Sequence, residues 1–342
     1  MPSLKGFVRP DQLDPELQSF LEGACLLLSN WFATAGQGTP MPVVTQMPEI
    51  APSFNGLTNE KLLEDIQLIM QGSYRPSHPG SLAHLDPPPI NASIVADLIS
   101  AGLNNNLLAE ELSPSISKLE RKLCEWFIER IGMPPEGGGV FASGGSLSNL
   151  MALVIARKQL DVESDPSACV LASEDAHVSL IKARRIMGLP DDGLQLVPSN
   201  RDGQISLELL EEKLSILKSN GKKCFAIVAT AGTTVRGSID PILKLSEICS
   251  REKIWLHVDA AIGGVFALSE SKSSLVEGIS LANSVTLNPQ KLLGIAKTSS
   301  ILLVSNRSLL LATFSTGLPY VEPSFADPHG GEIGIQGTRS AE

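Results

Sequence analysis

Short apolar runs rich in β-branched residues alternate with amphipathic stretches through the second half of the chain. The runs are ACVLAS (168–173), LQLVPS (194–199), CFAIVAT (224–230), IWLHVDA (254–260), SVTLN (284–288) and SILLVS (300–305), and helical patterns such as 207–218 and 241–252 lie between them. This alternation predicts an α/β fold, in which a mainly parallel sheet is covered by helices on both faces. Ligands of such sheets bind at the carboxyl ends of the strands.

The first 90 residues follow a different pattern. Two helical periodicities, near 14–32 and 59–70, flank a Pro- and Gly-rich stretch at 36–56, and the proline-rich residues 75–89 are expected to form an ordered loop. We therefore predict an N-terminal helical segment at 1–90 and a large α/β domain at 91–320. Residues 321–342 are predicted to hold a loop and the start of a further C-terminal domain.

Charge and cysteine content exclude several classes of protein. The 342 residues carry a formal net charge of −10 with no cluster of Lys or Arg, which argues against nucleic acid and anionic membranes as partners. The apolar stretch GACLLLSNWFA is short and follows acidic residues, so we expect neither a signal peptide nor a membrane span and predict a cytoplasmic location. Five dispersed cysteines are typical of reduced, buried thiols.

Two motifs place polar groups where ligands bind. Gly145 and Ser146 lie directly before a helical pattern, where free backbone N–H groups and the helix dipole favour an anion, although many Gly-Ser clusters are only turns. Asp259 ends an apolar strand and precedes small residues that leave room for a flat ligand. His257 shares its strand face, so a metal site is an alternative, but no third or fourth ligand has useful spacing.

Lys291 and His177 are weaker candidates when each is considered alone. Lys291 follows a strand ended by Pro289 and precedes apolar residues, whose presence would favour an uncharged amine able to form a Schiff base. Most lysines are instead solvated surface residues. His177 opens a helix after a strand, and a lone histidine is more often structural than catalytic.

Five motifs in one order resemble a known enzyme family. ASGGSLSNL, SEDAHVSLIKA, IVATAGTTVRGSIDPI, WLHVDAAIGG and NPQKLLG are similar to those of the group II pyridoxal-phosphate decarboxylases, over roughly residues 75–339. The resemblance implies a fold type I, aminotransferase-like three-layer domain, an obligate homodimer, and pyridoxal 5'-phosphate as cofactor. It also implies decarboxylation of an L-amino acid to its amine and carbon dioxide.

The family's catalytic roles fall on residues of this chain. Lys291 would form the internal aldimine, and Asp259 would pair with the pyridinium nitrogen and maintain the electron sink. His177 would stack on one face of the ring, with Ala261 on the other.

The phosphate and ring substituents would be held by a second group of residues. Gly145, Ser146 and Asn288 would bind the phosphate, and Thr230 would lie near the phenolic oxygen. Many members have histidine before the Schiff-base lysine; here Gln290 is expected to replace it as a hydrogen-bond donor.

Two departures concern protonation and the substrate. The family's mobile loop often bears a tyrosine that protonates the quinonoid carbon; here FADPHGGEIG lacks one, and His329 is the candidate donor. Arg339 matches an arginine that binds a substrate carboxylate in the glutamate and cysteine sulfinate branch, and His84 matches a polar substrate contact. We therefore expect an acidic amino acid, with diaminobutyrate or an aromatic amino acid as alternatives.

Two further alternatives concern the reaction itself. The loop without tyrosine leaves open a decarboxylation-dependent aldehyde synthase. The chain ends before the family's usual C-terminal domain, which leaves open a non-catalytic fragment that acts as a dimerisation module.

Overall fold

The computed structural model describes residues 11–52, 54–82, 85–317 and 328–340. The chain divides into two units, Met1–Pro88 and Pro89–Glu342. The sequence placed a boundary at residue 90, and the predicted C-terminal segment 321–342 falls within the second unit. Residues 321–327 and 341–342 of that segment lie outside the described residues.

The first unit contains two helices, α1 (Pro15–Ala33) and α2 (Asn59–Gln71). The Asp14 side chain accepts hydrogen bonds from the first backbone N–H groups of α1, and Thr58 does the same for α2. Within these two helices no residue is buried. Tertiary packing supplies most helical stability in proteins, so the absence of buried residues means that core packing contributes little to the stability of these two helices.

A seven-stranded sheet forms the centre of the second unit, in the order β1-β7-β6-β5-β4-β2-β3. Neighbouring strands are parallel except where β7 pairs with β1 and β6, so the sheet is mainly parallel, as predicted. Its strands are β1 (Gly138–Ala142), β2 (Ala168–Ser173), β3 (Leu194–Val197), β4 (Lys223–Thr230), β5 (Trp255–Asp259), β6 (Ser284–Leu287) and β7 (Ser300–Val304).

Helices cover both faces of this sheet and bury two apolar cores, which confirms the three-layer prediction. Strand side chains alternate between the cores: Leu171 and Ile227 face one, and Val170 and Val228 face the other. The first core packs against α4 (Pro114–Ile131), α7 (Leu207–Ser219) and α8 (Ile242–Glu252). The second packs against α5 (Gly145–Gln159), α6 (Ser179–Ile186) and α9 (Ser308–Phe314).

Helices α3 (Asn91–Leu103) and α9 and strand β1 were not predicted from the sequence. Helix α3 follows a proline-rich stretch and begins at Ile90 without a side-chain cap. Strand β1 is rich in glycine, a residue depleted in strands. A Cβ on Gly139 would lie 2.6 Å from the carbonyl oxygen of Leu302, so the close approach of β7 requires glycine there.

The cysteines and the helices bear on the remaining fold predictions. Cys124, Cys169 and Cys249 are buried, Cys224 is partly buried and Cys25 is exposed, and all five are free thiols. Among the described residues, no helix combines the length and apolar character needed to cross a bilayer.

Candidate active site

The carboxyl ends of the parallel strands bring distant residues to one edge of the sheet. Thr230 ends β4 and Asp259 ends β5, and the two residues are register partners. Asn288 and Lys291 follow β6, and His177 lies between β2 and α6. This convergence follows from topology, because parallel strands all end at the same edge.

A cavity of about 460 Å³ lies at this edge. Its wall contains the residues that the sequence predicted to hold the cofactor: Gly145, Ser146, His177, Thr230, Asp259, Ala261, Asn288, Gln290 and Lys291. Asn149, Gly232 and Thr234 also line it, and the sequence analysis did not identify them.

The turn before α5 forms one end of the cavity. Gly144 has φ +135°, a conformation that only glycine adopts readily, and α5 begins at Gly145. A Cβ on Gly145 would lie 3.0 Å from Nδ2 of Asn288, whose Oδ1 accepts a hydrogen bond from Ser300 Oγ at 2.7 Å. Free N–H groups of the first helical turn and the helix dipole make this end suited to a phosphate.

Asp259 presents a carboxylate that is held from two sides. Its Oδ2 accepts a hydrogen bond from Asn149 Nδ2 at 2.7 Å, and its Oδ1 accepts one from the Ala261 backbone N–H at 3.3 Å. The residue is 6% exposed. Asn149 was missed, although an asparagine inside a helix is itself a clue, because its side chain competes with helical hydrogen bonding.

His257 lies on the same strand face as Asp259, as predicted, but it bonds to protein groups. Its Nε2 is 3.0 Å from Asn149 Oδ1 and its Nδ1 is 2.9 Å from Ser284 Oγ. Burial lowers the pKa of the imidazole to about 4. Among the described residues, no group of three or more His, Cys, Asp or Glu side chains could hold a metal ion.

Thr230 combines an unpaired hydroxyl with a firmly held backbone. Its Oγ1 is buried and has no hydrogen-bond partner, while its N–H donates to Asp240 Oδ2 at 2.7 Å. Asp240 Oδ1 also accepts from the Ile205 N–H at 2.7 Å, and burial raises the pKa of Asp240 to about 6. A buried hydroxyl without a partner is costly, so Thr230 is suited to a polar ligand atom in the cavity.

Lys291 lies in a turn that begins just after β6, with its N–H bonded to Asn288 O at 3.1 Å. The sequence suggested that the following leucines would surround its amine. In the structure Leu292 and Leu293 are 48% and 37% exposed and Lys291 is only partly buried, so this segment stays partly open to solvent. Lys291 reaches the site through the geometry of its turn.

His177 and Gln290 follow the carboxyl ends of β2 and β6, at the same edge of the sheet. His177 Nδ1 accepts a hydrogen bond from the Ser179 N–H at 3.2 Å, which fixes its ring at the start of α6. Gln290 Oε1 accepts one from the Ser299 N–H at 2.5 Å. The amide nitrogen of Gln290 is then the group that can donate into the cavity.

Two predicted residues are not brought into this cavity. His329 is 7% exposed and its Nδ1 accepts a hydrogen bond from the Glu110 N–H at 3.1 Å. Arg339 forms a bidentate pair with Glu120, with distances of 2.7 and 3.0 Å, and lines a neighbouring cavity. The predicted roles of His329 as proton donor and Arg339 as substrate clamp have no support in this geometry. His84 lies outside the described residues.

Comparison with known proteins identifies similar sequences and folds. The family model described as the pyridoxal-dependent decarboxylase conserved domain matches residues 40–329. The chain is 33% identical over 261 residues to the L-2,4-diaminobutyrate decarboxylase of Acinetobacter baumannii, covering 70% of this chain and 51% of that protein. It is 34% identical over 264 residues to the acidic amino acid decarboxylase GADL1 of Xenopus tropicalis, covering 75% and 52%.

A solved structure has the same fold. The crystal structure of mouse CSAD matches with a TM-score of 0.86 and 26% identity, covering 95% of this chain and 71% of that chain. The chain spans about half the length of the curated relatives it matches.

Proposed function

The chain belongs to the pyridoxal-dependent decarboxylase family, and from that premise we propose that it removes the α-carboxylate of an L-amino acid as carbon dioxide, with pyridoxal 5'-phosphate as cofactor. One observation carries the proposal. A single cavity is lined by an amine, a carboxylate, an imidazole and a glycine turn at a helix N-terminus: Lys291, Asp259, His177 and Gly144–Gly145.

The residues present fit this cofactor. The Gly145 position is open only because it lacks a Cβ, which leaves space beside Asn288 for a phosphate. The unpaired Thr230 hydroxyl offers a hydrogen bond to a polar ring substituent. Asp259 offers an acceptor to a protonated ring nitrogen.

Each side chain then has a defined task. When bound, the cofactor supplies an electron sink for the electron pair left by carbon dioxide. The Lys291 amine would attach it covalently, and Asp259 would accept a hydrogen bond from its ring N–H. His177 and the methyl group of Ala261 would cover the two faces of the ring and exclude water.

The substrate side chain is the finer part of the proposal. An acidic side chain was expected because Arg339 could bind its carboxylate. In the structure Glu120 forms an ion pair with the guanidinium of Arg339, and both side chains are buried. The pair therefore presents no net charge to a ligand. The geometry therefore disfavours an acidic side chain, which would require Glu120 to release Arg339, and leaves diaminobutyrate and aromatic amino acids as the alternatives.

A panel of amino acids assayed for carbon dioxide release tests the reaction and the substrate together. We expect turnover by the wild-type chain, faster with diaminobutyrate or an aromatic amino acid than with glutamate, aspartate or cysteine sulfinate, and none with Lys291→Ala. Borohydride reduction should fix the cofactor to Lys291. No adduct in folded, cofactor-supplied protein would overturn the proposal. Product analysis distinguishes the amine expected of a decarboxylase from the aldehyde and ammonia expected of an aldehyde synthase.

Assembly and location belong to the same proposal. We propose a homodimer in the cytoplasm, and size-exclusion chromatography with light scattering tests the dimer. A dimer without carbon dioxide release from any amino acid would favour the non-catalytic dimerisation module. A monomer with full activity would contradict the dimer.

A further inference from the structure

A row of five buried polar side chains leads from the sheet interior to the cavity. Trp255 Nε1 donates to Ser284 Oγ at 2.8 Å, and Ser284 Oγ is 2.9 Å from His257 Nδ1. His257 Nε2 is 3.0 Å from Asn149 Oδ1, and Asn149 Nδ2 donates to Asp259 Oδ2 at 2.7 Å. We call these five residues the polar row. Only Asn149 and Asp259 line the cavity.

The carboxylate end of the polar row sets the direction of the hydrogen bonds at Asn149 and His257. The indole N–H of Trp255 is a donor only, and the carboxylate of Asp259 is an acceptor only. Asn149 must therefore turn its amide N–H groups toward Asp259 and its oxygen toward His257. His257 then donates from Nε2 and accepts at Nδ1, where the Ser284 hydroxyl donates.

The opposite arrangement fails at the cavity. A flipped Asn149 would place its oxygen 2.7 Å from Asp259 Oδ2, with two acceptors facing each other unless Asp259 were protonated. In the observed orientation Asn149 Nδ2 also donates to the hydroxyl of Ser179 at 3.0 Å, so both of its amide N–H groups have partners. A carboxylate at Asp259 therefore orients Asn149 so that its oxygen accepts the Nε2–H of His257.

We infer that His257 and Asn149 are positioning residues that hold Asp259 as an ionised hydrogen-bond acceptor facing the cavity. A neutral imidazole suits this task because it orients Asn149 through a fixed donor and adds no positive charge near the protonated ring that Asp259 would face. The inference deepens the proposed function and rests on it for the ligand, since the group that faces Asp259 would be the protonated ring nitrogen of pyridoxal 5'-phosphate.

Burial of His257 agrees with this assignment. The side chain is fully buried, and desolvation outweighs the opposing effect of Asp259, the charged group that acts on its pKa. Ser284 of β6 and Asn149 of α5 contact it, Trp255 of β5 contacts Ser284, and none of the three carries a charge at neutral pH. The imidazole is therefore expected to stay neutral at pH 7.

The first experiment measures the tautomer directly and needs no cofactor. Histidine labelled with ¹⁵N in the full chain gives ring-nitrogen shifts that distinguish Nε2–H, Nδ1–H and the imidazolium. We expect Nε2–H for His257 at pH 7. Its resonances can be assigned by eliminating the other histidines one at a time, so the result does not depend on a folded His257 variant. These are His78, His84, His177 and His329.

The coupling to Asp259 is tested with Asp259→Asn in the same measurement. Removing the carboxylate should let Asn149 adopt both orientations, so the Nδ1–H tautomer should gain population. The imidazolium or the Nδ1–H tautomer in the wild-type chain would overturn the inference. Unchanged His257 resonances in folded Asp259→Asn would overturn it too, and the wild-type spectrum decides alone if that variant does not fold.

The second experiment tests whether the polar row acts on the cofactor. Ser284→Ala removes a hydroxyl that lies outside the cavity, and Ser246→Ala removes a similarly buried hydroxyl on α8 that bonds only within its helix. We expect the dissociation constant for pyridoxal 5'-phosphate to rise about tenfold in Ser284→Ala and to stay unchanged in Ser246→Ala. Equal affinities would count against the inference.

The two experiments separate failure of this inference from failure of the proposed function. If the wild-type chain binds no pyridoxal 5'-phosphate, the proposed function fails while the tautomer measurement still decides the polar row. If the cofactor binds but His257 has the other tautomer, the inference alone fails.

Discussion

Adding one methyl group at Gly145 should lower the affinity for the cofactor more than it lowers the stability of the fold. A Cβ there would lie 3.0 and 3.2 Å from the amide atoms of Asn288, which Ser300 holds in place. We expect Gly145→Ala to raise the dissociation constant for pyridoxal 5'-phosphate about tenfold, because Asn288 must move away from the phosphate end. Absorbance titration measures it.

Gly102→Ala is the matched control for Gly145→Ala. Gly102 lies in α3 with nothing within 4 Å of its added Cβ, so cofactor affinity should be unaffected. Equal affinity of the Gly145→Ala variant and the control would contradict the assignment of this turn to the phosphate.

Asp240 should make folding stability depend on pH. Its pKa rises from 3.8 to about 6 through burial, so between these values the folded state holds the proton more tightly than the unfolded state. Its contribution to stability is therefore greatest below pH 3.8 and is lost as the pH rises through 6. Between pH 4 and pH 7 we expect the free energy of unfolding of the wild type to fall by about 2 kcal/mol relative to that of Asp240→Asn.

Urea unfolding at several pH values measures this difference. Comparing the two proteins cancels groups that titrate in both, His257 among them. If the free energies of unfolding of wild type and Asp240→Asn changed in parallel with pH, the pKa of Asp240 would not be raised in the folded state.

At the scale of elements, the sequence predicted those helices and strands whose apolar residues show a regular period. Six strands and the helices α4, α7 and α8 were located, because their apolar residues repeat with the period of the element. Strand β1 could not be predicted, since its glycines are explained only by the close approach of β7. The antiparallel direction of β7 depends on pairing between distant segments, which periodicity does not encode.

Gly139 allows a test of the β1–β7 contact. An added Cβ would lie 2.6 Å from the Leu302 carbonyl and 2.8 Å from a Leu303 methyl group, and both atoms are fixed within the sheet. We expect Gly139→Ala to lower the free energy of unfolding by about 2 kcal/mol through overpacking. Gly102→Ala should instead raise it slightly, because alanine favours helix. Urea denaturation measures the free energy of unfolding of both variants. Equal changes in the two variants would contradict a tight contact between β1 and β7.

At the scale of the whole molecule, the sequence predicted which residues meet but not every side-chain partner. Residues at the ends of parallel strands converge regardless of their distance in the chain, so Lys291, Asp259 and His177 could be assigned to one site from motifs. The partner of Arg339 could not, because Glu120 lies 219 residues away. Asn149 was missed for the same reason, since its role depends on His257 and Asp259 meeting it in three dimensions.

The Glu120–Arg339 pair connects α4 with the segment at 328–340, and Arg339 Nη1 also donates to the Phe141 carbonyl of β1 at 3.2 Å. Removing one member of a buried pair leaves the other charge without compensation. We therefore expect Glu120→Gln to lower the free energy of unfolding by about 3 kcal/mol. The double variant Glu120→Gln/Arg339→Gln should lose less than the sum of the single variants.

The control for this pair is an exposed one of the same chemistry. Glu247 pairs with Lys244 at 3.0 Å on the surface of α8, and Glu247→Gln should cost less than about 0.5 kcal/mol because solvent screens exposed pairs. Urea unfolding of the four variants measures all these terms. If Glu120→Gln cost as little as Glu247→Gln, Glu120 would not be compensating a buried charge, and Arg339 would be available to a substrate carboxylate after all.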